Sequence, residues 1–275
     1  MNLLSNAAEA SLTKGYALVL LPPDPQYLSP MRFPIDGVIV IDPLRDDPVL
    51  KVLRAQSITT MTIGRDLSGN PEPWVDDDIP SGVSALLELI AQPDDRIALV
   101  TFPATKSYLQ DTISGVMAWP GHSAGYPTIH TINSTEADDV RLVTARLLTD
   151  RPDLLLGAND RITLALLREL TAAGLDVPGD IRLASLVDAP ELERTNPTIT
   201  ALAQHPAEAA RRAVDVLIEN IAGKSVPAAT RIPMRVAARA SAPTAGSTVV
   251  RPRTKKPATA RRSAPPRKPE TTAEQ

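Results

Sequence analysis

The chain has 275 residues, 43% of them hydrophobic but only 3% aromatic, and no cysteine. That is enough for one large or two small aliphatic cores, and it excludes disulfides, thiolate metal sites and a cysteine nucleophile. The net charge of −3 is uneven: residues 248–275 hold eight Lys and Arg against two Glu, a local +6 that leaves −9 for the rest.

Asn2–Thr13 has helical spacing of Leu3, Leu4, Ala7, Ala8 and Leu12 and stops at Gly15. Tyr16–Leu21 reads as a buried strand, Pro22–Pro30 as an irregular connection and Val38–Ile41 as a second strand. Asp46-Asp47-Pro48 opens a short helix through Ala55, with its acids at the positive end. Thr59–Ile63 is a strand, Asp66–Pro73 a loop and Pro80–Ala91 a helix. Strands at Ile97–Phe102 and Thr128–Ile132 then alternate with helices at Thr105–Trp119 and Ala137–Thr149. Leu154–Leu156 is a buried run ending at Gly157-Ala158, followed by Asn159-Asp160 and an amphipathic helix closed by Gly174. Ile181–Leu186 and Ile199–Ala203 are strands, Pro206–Ala222 a helix stopped by Gly223, and Arg231–Ala237 a last strand. From about Ala240 no apolar periodicity survives, and residues 242–275 are expected to be a disordered basic tail.

This alternation predicts an α/β fold: two Rossmann-like parallel-sheet lobes with a ligand cleft between them. Polar residues that follow a strand's carboxyl end are the candidates for such a cleft. Asn159-Asp160 sits at such an end, although both residue types also cap helices. Asp76, Asp77 and Asp78 precede a helix and read either as a cap or as cleft carboxylates. No phosphate loop, dinucleotide fingerprint, nucleophile elbow or zinc-protease motif occurs, so no catalytic residue, cofactor or metal is assigned and the chain is not expected to be an enzyme. His122, His130 and His205 are scattered on loops and strand ends, and Trp74 and Trp119 lie beside loops, Trp119 as a packed rim residue or a stacking surface. No apolar run is long enough to span a membrane and no signal-peptide pattern opens the chain, so the expectation is a soluble cytoplasmic protein without a membrane partner.

Ile35-Asp36-Gly37-Val38-Ile39-Val40, Thr62-Ile63-Gly64-Arg65, Val75-Asp76-Asp77-Asp78 with Gly82, and Arg96-Ile97-Ala98-Leu99-Val100 occur in an order and spacing that carries a resemblance. So do Asn159-Asp160 with the helix after them, Asn196-Pro197-Thr198-Ile199-Thr200 with Gln204, and Arg211-Arg212-Ala213-Val214. Together they resemble the effector-binding core of the LacI-type bacterial transcription regulators, a periplasmic-binding-protein-like fold, over nearly the whole chain to Ser241. The resemblance implies a small-molecule effector, sugar or nucleoside-like, a homodimer, and DNA binding controlled by that effector. It implies an N-lobe of about 1–91 and 205–228 and a C-lobe of about 92–204 and 229–241. It points to Asn159, Asp188, Gln204, Asp78 and Thr112 as ligand contacts.

Several positions depart from the family's pattern. Thr112 stands where an Arg is usual, and Val187-Asp188 replaces an Asp pair. The family's helix-turn-helix, hinge helix and first sheet strand lie upstream of what corresponds here to Asn2–Thr13. That strand would lie between Tyr16–Leu21 and Val38–Ile41, which are therefore expected not to pair with each other. DNA contact would then come from an upstream head, or weakly from Lys255, Lys256, Arg261 and Arg262 in the tail, although few aromatics or Gly accompany that charge and a solubilising segment is the favoured reading. The alternative to a regulator core is a free-standing small-molecule binding module with no role at DNA.

Overall fold

The computed structural model describes residues 3–22, 24–28, 34–69, 72–121 and 127–246. Short buried runs alternating with amphipathic helices build two sheets. In chain order the strands are β1 (Val38–Ile41), β2 (Thr60–Ile63), β3 (Trp74–Asp77), β4 (Ile97–Thr101), β5 (Thr128–Thr131), β6 (Leu154–Gly157), β7 (Arg182–Ser185), β8 (Thr200–Ala203), β9 (Ala229–Ile232) and β10 (Arg235–Ala237). The N-lobe sheet runs β1-β2-β3-β9, all parallel. The C-lobe sheet runs β10-β8-β7-β6-β4-β5, parallel except for β10.

Helices α1 (Leu3–Thr13) and α7 (Pro206–Ile221) pack together on the N-lobe, and α2 (Pro48–Ala55) buries its Leu50 and Leu53 with Leu28, Val38 and Val40. Small side chains set the α1–α7 contact: Ala7 and Ala10 meet Ala210 and Val214, so the two helices come close. Helices α3 (Ile79–Ile90), α4 (Ser107–Ala118), α5 (Ala137–Asp150) and α6 (Asp160–Ala172) pack on the C-lobe. Its core is aliphatic, as the composition requires: Leu99, Leu154, Leu155, Leu156, Ile162, Leu166, Leu170 and Leu183 are fully buried. Gly174 closes α6 at φ +77°, a conformation that suits glycine.

Four expectations are corrected. Tyr16–Leu21 is not a strand. It runs without sheet pairing, and Leu18, Val19 and Leu20 are 41%, 58% and 72% exposed. A strand exists by its ladder, and β1, the element nearest in the expected order, pairs with β2 alone among the described residues. The two segments do not pair with each other, as expected. Second, Trp74–Asp77 is a strand, β3, where the sequence reads as loop and acidic run. Third, Arg231–Ala237 is two strands in different sheets, because Pro233 has no N–H to continue a ladder.

The fourth concerns the lobe boundaries. Helix α3 joins the C-lobe core through Val83, Leu86, Leu87 and Ile90, and β9 joins the N-lobe sheet. The crossings therefore fall at Asp78, at Gln204-His205 and at Pro233-Met234, so the first boundary moves from 91 to 78 and the third from 228 to 233. The C-lobe also continues past 241. Ala242 is fully buried, Ser241 Oγ donates to the Leu183 carbonyl at 2.6 Å, and the Ala245 N–H donates to the Leu89 carbonyl. The basic tail, with Lys255, Lys256, Arg261 and Arg262, lies outside the described residues.

The exposed apolar Leu18–Leu20 stretch, outside any sheet, favours intermolecular contact. Leu20→Lys should lower self-association, measured by sedimentation velocity, while leaving stability within about 0.5 kcal/mol, as expected for an exposed site.

Candidate functional site

Between the lobes lies a cavity of about 300 Å³, at the low end of the size range of small-molecule sites. Its apolar wall comes from the N-lobe side: Leu3 of α1, Ile41 and Ile63 at the ends of β1 and β2, and Pro206 and Ala209 of α7. Asp42 follows β1, and Asp76 and Asp77 end β3, so three carboxylates face it from strand ends. Tyr108 of α4, Asn159 and Asp160 at the start of α6, Val187 after β7 and Gln204 after β8 close it from the C-lobe.

Asn159 serves two purposes at once. Its Oδ1 accepts the Ile162 N–H at 3.0 Å and caps α6, while its side chain also meets the Tyr108 hydroxyl. Capping and lining are thus not rival readings here. The amide group can serve the cavity because the other end of the same amide is spent on the helix. The cap is Asn159 rather than Asp160, and Asp160 lines the cavity instead. Gly157, at the end of β6, permits this approach: a Cβ there would meet Thr163 Oγ1 at 2.2 Å and the Thr163 backbone at 3.1 Å.

Gln204 reaches across the junction, its Nε2 donating to Asp77 Oδ2 at 2.8 Å. The other oxygen, Asp77 Oδ1, is buried with no hydrogen-bond partner. Asp76 Oδ2 accepts from Ser107 Oγ at 2.9 Å, and Ser107 in turn accepts the Arg65 N–H at 3.0 Å. Arg65 also donates to Asp111 of α4 at 2.5 Å. A chain of polar contacts therefore ties α4 of the C-lobe to the ends of β2 and β3. Burial pushes the Asp76 and Asp77 carboxyls up to about 6, and it raises Asp42 and Tyr108 as well. Among the described residues no group of three or more His, Cys, Asp or Glu is placed to hold a metal ion.

Of the five expected contacts, Asn159 and Gln204 line the cavity and the other three do not. Asp188 is held by Arg239 through two hydrogen bonds, at 2.7 and 2.8 Å, and Arg239 also pairs with Glu193. Asp78 lies at the first crossing, its N–H donating to Ile232, with Arg231 3.6 Å from its carboxylate. Thr112 is 2% exposed inside α4's packing. Trp119 packs against the C-lobe core, and Trp74 lies between Arg65 and Arg231, each 5.5 Å from its ring. Sequence reasoning passed over Asp42, Tyr108, Val187 and Leu3. Asp42 carries the same signal as Asn159, a polar residue just past a strand's carboxyl end. No sequence signal marks the apolar wall.

A family model of the periplasmic binding protein-like domain matches residues 88–242. The HTH-type transcriptional regulator CelR of Thermobifida fusca is 30% identical over 205 residues, which is 70% of this chain and 58% of that protein. The chain thus spans under two thirds of that relative's length. The solved transcriptional regulator CelR–cellobiose complex superposes with a TM-score of 0.76 at 23% identity, covering 87% of this chain and 77% of the other. The lac repressor dimer bound to operator and the anti-inducer ONPF superposes at 0.75, with 19% identity and 88% of each chain covered.

Proposed function

This chain belongs to the periplasmic binding protein-like domain family, and on that premise we propose that it is the effector-binding core of a LacI-type regulator, which senses a small polar effector, sugar or nucleoside-like, and through it controls DNA binding of a dimer. The relatives are regulators and not enzymes, and this chain is a regulator-type ligand-binding core rather than an enzyme. No described helix is long and apolar enough to cross a membrane.

The observation that carries the reading is the inter-lobe cavity, with strand-end polar groups from both lobes: Asp42, Asp76 and Asp77 on one side, Asn159 and Gln204 on the other. A ligand there touches both lobes at once. Its binding free energy therefore depends on their relative placement, which is how a small molecule biases a two-state protein. In a dimer, a change in lobe placement becomes a change in the spacing of whatever each subunit carries to DNA.

Thermal-shift measurements with a panel of sugars, nucleosides and sugar phosphates test the first half. A ligand at a hundred times its Kd should add about 2.7 kcal/mol to stability. Asn159→Ala should abolish that gain, while its effect on the unliganded protein should be about 1 kcal/mol, the usual worth of a cap. A stabilising ligand whose effect survives Asn159→Ala and Gln204→Ala would place the effector elsewhere.

A further inference from the structure

The charges around the cavity do not balance, and the imbalance has a chemical meaning. Among the described residues four carboxylates line it, Asp42, Asp76, Asp77 and Asp160, and none of the lining residues is Lys, Arg or His. The cations nearby are each paired with a carboxylate other than Asp77. Lys106 reaches Asp42 at 3.9 Å, and Arg65 is bound to Asp111. Three of the four carboxylates have an identifiable compensation. Asp42 has Lys106; Asp76 has the nearby charge of Arg65 as well as the Ser107 hydroxyl; Asp160 sits in the first turn of α6, where the helix end favours a negative charge. Asp77 has only the neutral amide of Gln204, on one oxygen, and its second oxygen is buried without a partner.

We propose that the occupant of this cavity carries a protonated amine set against Asp77, and that among the small polar effectors it is an amino-substituted sugar. This rests on the effector-core reading and narrows it. An ammonium supplies both things that Asp77 lacks, a donor for the free oxygen and a compensating charge. A neutral sugar hydroxyl supplies the first only. A phosphate-bearing ligand would add negative charge to four carboxylates. A metal ion is no substitute, since no three of the carboxylates are grouped to coordinate one. The rest of the cavity fits a compact sugar ring: Asn159 and Gln204 for hydroxyls, and the aliphatic wall of Leu3, Ile41 and Ile63 for its C–H face.

The proposal also sets a pH signature. Burial and the like charge of Asp42 raise Asp77 to about 6 in the empty cavity against the Gln204 hydrogen bond; Asp76 is a further like-charged neighbour, Arg65 acts on Asp76, and Lys106 is paired with Asp42. An ammonium binds the ionised form, so its affinity should fall between about pH 7 and about pH 5, while a neutral sugar should be much less sensitive.

The test is calorimetry and thermal shift on the whole chain. D-Glucosamine, D-galactosamine and D-mannosamine are compared with glucose, galactose, mannose, N-acetylglucosamine and glucose 6-phosphate. At least one amine should bind roughly tenfold tighter than its parent and its N-acetyl form, the scale of one charge-assisted hydrogen bond. Asp77→Asn should level amine and parent. If that variant does not fold, the pH comparison on the native chain decides. Equal binding of parent and amine, or preferred binding of the phosphate, overturns the charge assignment and leaves the effector core standing. No shift with any of these, nor with the nucleosides and sugar phosphates of the wider thermal-shift panel, overturns both.

Discussion

Replacing Arg182 by Ala should destabilise the protein by about 3–5 kcal/mol, the cost of stranding a buried charge. Arg182 opens β7 and is 5% exposed. Its guanidinium ion-pairs with Asp95 and donates to the Ile90 carbonyl at 2.5 Å. Asp95 is also buried and accepts the Gln92 N–H at 2.6 Å. One side chain thus ties three segments together: the end of α3, the turn into β4 and the first residue of β7. Removing it leaves a carboxylate and a helix-end carbonyl inside the protein without their donor. The measurement is the urea midpoint with its slope. Arg182→Met combined with Asp95→Asn should recover part of the loss, since no buried charge remains. A wild-type midpoint for Arg182→Ala would mean that water reaches the pair and the charge was never stranded.

The unliganded protein should lose stability as pH rises from about 5 to about 7, by an amount on the order of 2–4 kcal/mol. Asp76 and Asp77 have carboxyls raised to about 6 by burial, above the ordinary value of 3.8. Groups raised in the folded state contribute stability that is complete below the ordinary value and lost as pH climbs through the raised one. Glu72, held low by Arg54, acts in the opposite sense but only below its ordinary value of 4.5, outside this window. His130 is lowered by burial and opposes the trend as pH falls below about 6.5. Comparing wild type with Asp77→Asn cancels His130. The variant should show a flatter profile and be the more stable at pH 7. Parallel profiles for the two chains would show that Asp77 ionises in the cavity as freely as in water.

The C-lobe was legible because its signals are local and repeated. Leu154–Leu156, Ile181–Leu186 and the helix after Asn159 are buried on enough sides to read as unbroken or periodic apolar runs. The N-lobe was less so. β3 ends on Asp76 and Asp77, and a strand that delivers carboxylates to a cavity cannot look apolar. Tyr16–Leu21 shows the converse error, since an apolar run predicts a strand only when a partner strand is there to take its hydrogen bonds. In the site, Asn159 and Gln204 were reachable from chemistry at strand ends. Asp188 was not excluded by the same rule, because its partner Arg239 lies 51 residues away in sequence and nothing local announces it. Helix α3 was placed in the N-lobe by chain order, and only packing of Val83 and Leu86 against the other sheet's core corrects that.

The three crossings have a mechanical consequence. They run side by side: the Asp78 N–H meets the Ile232 carbonyl, and Gln204 reaches Asp77 next to it. Three covalent cords lying together resist stretching, sliding and twisting, since each of those would lengthen one cord against its neighbours. Folding about the line through them lengthens none. The lobes are therefore left one soft degree of freedom, like a book bound along its spine, and the cavity lies just inside the binding. A small rotation at Asp78, His205 and Pro233 is magnified with distance, so the outer rims of the two lobes travel farthest while the cavity's own residues move least. On the proposed effector reading, that leverage would let a ligand of modest size move surfaces it never touches.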